Sequence, residues 1–221
     1  MKRIAFYGGT FDPIHNGHLA IATNLLQLFR LDQFWFVPAH LAPHKRGRSV
    51  TAAFCRYAML ALATQNEPKI KISTVELDAP EKPYTVQTLR KLKDRYRGEA
   101  TIFFVMGADS WNEIDTWREW QELLQMTNHI VVTRPGYEIA VEHVTPEIQR
   151  KIVDLRGLED NAIVEITNKT HGERIFITDA VRLEIASSEI RRLTALGEIE
   201  KWRKLVAPAT ADYIEKYKLY Q

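Results

Sequence analysis

Short apolar runs closed off by turn residues, each separated from the next by a segment of helical periodicity, constrain the fold of this chain more than any other feature. They are Ile4 to Tyr7, Phe34 to Val37, Ile70 to Ser73, Thr101 to Met106 and Ile130 to Thr133. After Gly17, the residues Leu19, Ala22, Leu26 and Phe29 recur at spacings of three and four, the pattern of an amphipathic helix laid on a sheet. Ala52 to Thr64 is apolar almost all round and is expected to form a well-buried helix; Val86 to Tyr96 forms a shorter, more charged one. Strands alternating with helices predict an α/β fold, a parallel sheet joined by right-handed crossovers and flanked by helices. In that architecture ligands bind beyond the carboxyl ends of the strands, which locates a site before any motif is considered.

Past Thr133 the turn signal Arg134-Pro135-Gly136-Tyr137 opens a less regular stretch. A helix is expected near Glu147 to Asp154, with short strands near Ile163 to Ile166 and Arg174 to Ile177. Ser187 starts a helix with a serine cap, and Gly197 ends it. Pro208 opens a last helix running to about Tyr217. No repeat, low-complexity tract or linker interrupts the chain. One unit is expected, with a core over residues 1–180 and a small helical part over 181–221.

Composition narrows the function classes. The 221 residues are 45% hydrophobic, enough for one sizeable domain, and 30 basic against 28 acidic residues leave a formal net charge of +2. That balance gives no large basic field, so nucleic acid is not the expected partner. The lone cysteine, Cys55, permits no intrachain disulfide or cysteine metal cluster; it reads as a buried, small hydrophobe in a helix and fits a reducing cytoplasm. Met1 to Gly9 runs straight into a strand without a signal-peptide pattern, and no apolar run reaches the ~18 residues of a membrane span. A soluble, cytoplasmic protein is expected.

The chemistry concentrates at Gly8 to His18, GGTFDPIHNGH. The first strand ends in Gly8-Gly9-Thr10, turns through Asp12-Pro13 and enters a helix near Gly17, where backbone N–H groups and the helix dipole favour an anion. This is neither the Gly-x-Gly-x-x-Gly dinucleotide fingerprint nor the Gly-x-x-x-x-Gly-Lys-Ser/Thr loop. His15 and His18 straddle a glycine, so both rings can face one phosphate pocket. The competing reading has His15 capping the helix and His18 packed in the core. Zinc is a weaker reading, because His-x-x-His supplies two ligands and no nearby cysteine or carboxylate completes a tetrahedral set. A second anion site is read at Ser187-Ser188-Glu189-Ile190-Arg191, a serine-capped helix start with an arginine one turn in, against the plainer reading of a good cap with a surface arginine.

GGTFDPIHNGHL resembles the signature of the nucleotidyltransferase superfamily, whose His-x-Gly-His element binds the phosphates of a nucleoside triphosphate. The superfamily's second signature, Ile-Ser-Ser-Thr-x-x-Arg, is similar to Ile185-Ala186-Ser187-Ser188-Glu189-Ile190-Arg191; Ala186 replaces the first serine and Ser188 the threonine. Within the superfamily, PAHLAPHKR, PYTVQTL, FVMGADSWNEIDTW and VVTRPGY resemble bacterial nicotinate-nucleotide adenylyltransferases over most of the chain. The resemblance implies a Rossmann-like domain that transfers AMP from ATP to nicotinate mononucleotide. It implies ATP binding by Gly8, Gly9, Thr10, Phe11, His15, His18, Gly107, Asp109, Ser187, Ser188 and Arg191. For the mononucleotide it implies Thr10, Lys45, Tyr84, Thr85, Trp117 and Arg134, with Trp117 stacking on the pyridine ring and the Tyr84-Thr85 backbone meeting its carboxylate.

Physical logic runs parallel to these roles. A planar, electron-poor ring favours an aromatic face. Trp117 is expected to precede a helix that contains Trp120, and one of the two to be core. Lys45 suits a phosphate clamp; Arg46 and Arg48 fit that role or a solvated loop equally. A phosphate nucleophile needs no general base, so catalysis falls to charge neutralisation by His15, His18, Lys45 and Arg191. Magnesium is expected to arrive on the triphosphate, without a protein ligand. Competing readings are a nicotinamide mononucleotide or phosphopantetheine adenylyltransferase, a cytidylyltransferase, a tRNA ligase and a non-catalytic nucleotide sensor.

Overall fold

The computed structural model describes residues 1–40, 50–133, 138–179 and 185–221. Their strands are β1 (Lys2–Gly9), β2 (Gln33–Pro38), β3 (Ile70–Ile72), β4 (Ala100–Gly107), β5 (Asn128–Val132), β6 (Ile152–Asp154) and β7 (Ile175–Thr178). The helices are α1 (Asn16–Leu28), α2 (Ala53–Thr64), α3 (Thr85–Arg95), α4 (Ala108–Asn112), α5 (Trp120–Met126), α6 (Pro146–Gln149), α7 (Asp160–Lys169), α8 (Ser187–Ala195), α9 (Ile199–Trp202) and α10 (Pro208–Lys216). The strands form one sheet in the order β3-β2-β1-β4-β5-β7-β6, every pairing parallel. The expected Rossmann-like sheet is therefore present. The order in which strands are added reverses between β1, from which the chain steps out to β2 and β3, and β4 on β1's other side, so the crevice for a ligand opens beyond Gly9 and Gly107.

Both faces of the sheet are buried, which explains why the strands read as continuous apolar runs. On β1, Ala5 and Tyr7 join one core with Phe34, Phe36 and Phe103, while Ile4 and Phe6 join the other with Ile102 and Phe104. The first core takes the buried faces of α1, α8 and α10; the second takes those of α3 and α5.

Three local expectations fail, each for a physical reason. Apolar composition over Ala52 to Thr64 predicts burial all round, yet Phe54 is 86% exposed and the residues buried are Arg56, Met59, Leu60 and Thr64. The helix packs one face only, and Cys55 is partly exposed beside it. The helix expected over Glu147 to Asp154 stops after Gln149: Thr145 caps it, but Ile152 and Val153 pair with Ile175 and Phe176 as an edge strand. Ile163 to Ile166, expected as a strand, lies inside α7, where Ile163 and Thr167 form a buried i,i+4 pair and Thr167 Oγ1 donates to Leu28 O at 3.1 Å. A four-residue apolar run does not distinguish strand from helix by periodicity alone.

At α8 the serine-cap expectation is also corrected. Ala186 is the N-cap, in extended conformation, and Ser187 is the first helical residue. Its hydroxyl turns instead to the β1–α1 loop, donating to Pro13 O at 3.0 Å. The C-terminal end is as expected: Gly197 has φ +71°, and the bonds Glu198 N–H to Leu193 O and Gly197 N–H to Thr194 O close the helix.

Candidate active site

The two-glycine end of β1 is shaped by close approach. A Cβ on Gly9 would lie 2.8 Å from the Phe11 ring, and one on Gly17 would lie 3.0 Å from His15 Nδ1. Phe11 itself is held at φ 50°, a left-handed conformation an aromatic residue adopts only where packing imposes it. Its ring is buried against Tyr7, Phe36 and His18.

His15 is the N-cap of α1, and His18 stands one turn in. Their rings stack with centroids 3.7 Å apart, over the space that Gly17 leaves open. The backbone N–H of His15 donates to His18 Nδ1 at 3.3 Å, so the neutral His18 ring carries its proton on Nε2, the edge that can donate to an anion. His15 thus occupies the capping position while its ring stacks on that of His18.

The second signature sits against this turn. A Cβ on Gly17 would come within 3.7 Å of Ile185, and Arg191 Nη1 donates to Asp12 O at 2.6 Å. With the Ser187 bond to Pro13, α8 grips two consecutive loop residues. Ser188 is exposed at the helix start.

A network absent from the sequence expectations holds the loop from beneath. Arg56, 1% exposed, donates through Nε to Thr51 O at 3.0 Å, through Nη1 to Thr10 O at 2.7 Å, and through Nη2 to Ala39 O at 2.7 Å and His40 O at 3.3 Å. Burial lowers its pKa while nearby Asp12 raises it. The Asp12 carboxylate accepts from Thr51 N–H at 3.3 Å and from the Tyr220 hydroxyl at 2.7 Å. Burial, then Asp12, pushes the Tyr220 phenol up, so it stays a donor. One arginine inside an apolar helix was a legible signal for Arg56; nothing marked Tyr220.

Beside this loop opens a cleft of about 370 Å³. Its walls include Gly8 and Gly9 from β1 with Thr10 just beyond it, Phe104 and Met106 from β4, and Tyr84, Thr85, Trp117 and Arg118 from the loops and helix starts facing them. Four mononucleotide candidates, Thr10, Tyr84, Thr85 and Trp117, are therefore brought together. Trp117 ends a 3-10 turn, Ile114–Thr116, and precedes α5, as expected. Trp117 and Trp120 are both only partly buried, however; the core tryptophan of this stretch is Trp111, fully buried with Nε1 donating to Ala140 O at 2.7 Å.

The cleft rim is tied together. Arg118 lies 4.9 Å over the Tyr84 ring, and Arg90 of α3 bonds Glu119 and Glu122 across to α5. These pairs are largely exposed, so they orient the rim more than they stabilise it. Glu76 also lines the cleft; burial pushes its carboxyl up to about 7, against the opposing effect of the Thr88 hydroxyl. Neither Glu76 nor Arg118 carried a sequence signal.

Gly107 caps α4 at the end of β4, and Asp109 is exposed in its first turn. These two, with His15, His18, Ser187, Ser188 and Arg191, lie outside the cleft lining. Lys45 and Arg134 lie outside the described residues, as do Arg46, Arg48 and the turn at 134–137. Among the described residues no group of three His, Cys, Asp or Glu side chains is placed to hold a metal ion, and no helix is long and apolar enough to cross a membrane.

Comparison with known proteins gives concordant matches. The family model described as cytidylyltransferase-like matches residues 6–193. A protein of Thermoanaerobacter sp. (strain X514), named "Probable nicotinate-nucleotide adenylyltransferase", is 37% identical over 219 residues, covering 99% of this chain and 94% of the relative. One of the same name from Symbiobacterium thermophilum is 36% identical over 220 residues, covering 100% of this chain and 96% of its own. Among solved structures, the Plasmodium falciparum nicotinic acid mononucleotide adenylyltransferase complexed with APC superposes with a TM-score of 0.70 at 26% identity, covering 100% of this chain and 98% of that one.

Proposed function

Since the chain belongs to the cytidylyltransferase-like family, within its nicotinate-nucleotide adenylyltransferases, we propose that it transfers AMP from ATP to nicotinate mononucleotide, giving nicotinate adenine dinucleotide and pyrophosphate in NAD biosynthesis. The observation that carries the reading is the cleft at the sheet's switch point, where Gly8 to Thr10 face Tyr84, Thr85 and Trp117.

The acceptor phosphate attacks the α-phosphorus in line, and pyrophosphate leaves from the opposite side. The attacking oxygen is already anionic, so the chain needs to position two anions and neutralise the charge that grows between them. We assign that charge to the α1 and α8 starts. His18 presents Nε2–H, His15 stacks against it to fix its ring plane, and Arg191 brings a guanidinium to the same loop. Lys45 is assigned to the phosphates from the segment outside the described residues. Gly107 and Asp109, at the end of β4, are assigned to the adenosine. Trp117 and the α3 start are assigned to the pyridine ring and its carboxylate, with Thr10 and Arg134 completing the mononucleotide set.

Magnesium is assigned to the substrate, carried on the phosphates of ATP. A cytoplasmic location belongs to the same proposal. The test is pyrophosphate release from magnesium-ATP with nicotinate mononucleotide, nicotinamide mononucleotide and phosphopantetheine side by side. Release with the nicotinate substrate is expected, and release only with phosphopantetheine, or with none, overturns the reading.

A further inference from the structure

Glu76 lies between β3 and α3 and shares a cleft wall with Pro83, Tyr84 and Thr85. Its Oε1 accepts from Thr88 Oγ1 at 3.0 Å. Thr88 is 2% exposed and follows Thr85 by three residues in α3, on the same helix face. The tether therefore holds a carboxyl group one helical turn behind the point where α3 begins. The first N–H groups of a helix lack partners within it, and that of Tyr84 is taken by Gln87 Oε1 at 3.0 Å. A substrate carboxylate drawn to this helix start meets a protein carboxyl in the same wall.

Two ionised carboxylates in one half-buried wall repel; an acid and a carboxylate share a proton in a strong hydrogen bond. A carboxamide has the opposite preference, since its NH2 donates best to an ionised oxygen. We propose that Glu76 reads the charge of the pyridine substituent, donating its proton to the carboxylate of nicotinate mononucleotide and, once ionised, favouring the carboxamide of nicotinamide mononucleotide. The inference rests on the cleft being the mononucleotide site. Burial, which already lifts this carboxyl to about 7, keeps it an acid near neutrality, and a bound carboxylate lifts it further. The other charged or titratable side chains on the described walls are Glu113 and Arg118, from the segment between β4 and α5, and Tyr84, at the α3 start. These groups are the same in the wild type and in Glu76→Gln, so comparing the two isolates the contribution of Glu76.

The experiment measures the ratio of kcat/KM for nicotinate over nicotinamide mononucleotide from pH 6 to 8.5, in the wild type and in Glu76→Gln. Ribose and phosphate are common to both substrates, so their titration cancels in the ratio. In the wild type the ratio is expected to fall on the order of tenfold with rising pH, as one unfavourable charge pair forms. In Glu76→Gln, whose amide donates at every pH, it stays flat near the wild-type acid value. A flat wild-type ratio, or an unchanged slope in the variant, overturns the proposal. The wild-type profile decides alone if the variant does not fold. Turnover of neither substrate at any pH overturns the mononucleotide reading of the cleft, and the role of Glu76 with it.

Discussion

Replacing Arg56 by methionine keeps most of the side-chain volume and removes every donor. Four backbone carbonyls, of Thr51, Thr10, Ala39 and His40, then lose bonds of 3.0, 2.7, 2.7 and 3.3 Å in a place where the native side chain is 1% exposed. A stranded buried acceptor costs about 1–3 kcal/mol, and Asp12 also loses a compensating cation. Relaxation and an entering water recover part of this, leaving a net loss of about 3–5 kcal/mol. For a chain of this length each kcal/mol lowers the unfolding midpoint by about 2–4 °C, so a drop of roughly 6–20 °C is expected. Thermal unfolding followed by far-ultraviolet circular dichroism, at one pH and without nucleotide, measures it. A midpoint within about 2 °C of the wild type would mean instead that the loop carbonyls do not depend on the guanidinium.

Three further outcomes are expected. His18→Ala, folded by circular dichroism, loses roughly two to four orders of magnitude in kcat, the usual cost of a lost transition-state donor; near-normal turnover would remove His18 from the phosphate site. Trp117→Ala raises KM for the mononucleotide far more than KM for ATP; the reverse pattern would put the stacking residue on the other substrate. His129, fully buried with its pKa lowered from 6.5 to about 4, gains a proton on unfolding throughout that window. Stability from this residue is therefore lost as pH falls from 6.5 towards 4, by up to about 3 kcal/mol, and His129→Gln flattens the acid slope of the unfolding midpoint. Glu76 has the opposite sign, its contribution being lost as pH rises from its ordinary 4.5 to about 7, so the variant's slope must be compared with the wild type's; equal slopes would clear His129 of the effect.

The sheet was legible because its central strands, such as β4 and β5, are buried on both faces and leave little room for polar residues on either. The histidine turn was legible because a glycine between two imidazoles has a local cause: the His15 ring needs the space a Cβ at Gly17 would fill. Stretches whose fate depends on distant partners were not. Ile152 and Val153 become a strand only because β7, more than twenty residues on, offers an open edge. Ser187 gives up the capping role its sequence suggests because Pro13 lies across from it in the fold. Glu76 and Tyr220 illustrate the same limit at the site, since a buried polar group is marked by its surroundings and those come from other parts of the chain, whereas Arg56 stood out as the one charge in an apolar helix.

Everything assigned to the site turns on one bond change, attack by the phosphate of nicotinate mononucleotide on the α-phosphorus of ATP. Supplying nicotinate mononucleotide with ATP labelled at either the α- or the γ-phosphate tests it most directly. The α label is expected in a dinucleotide and the γ label in pyrophosphate, one for one. A γ label on the acceptor, or loss of the α label as free AMP with no dinucleotide formed, would contradict it.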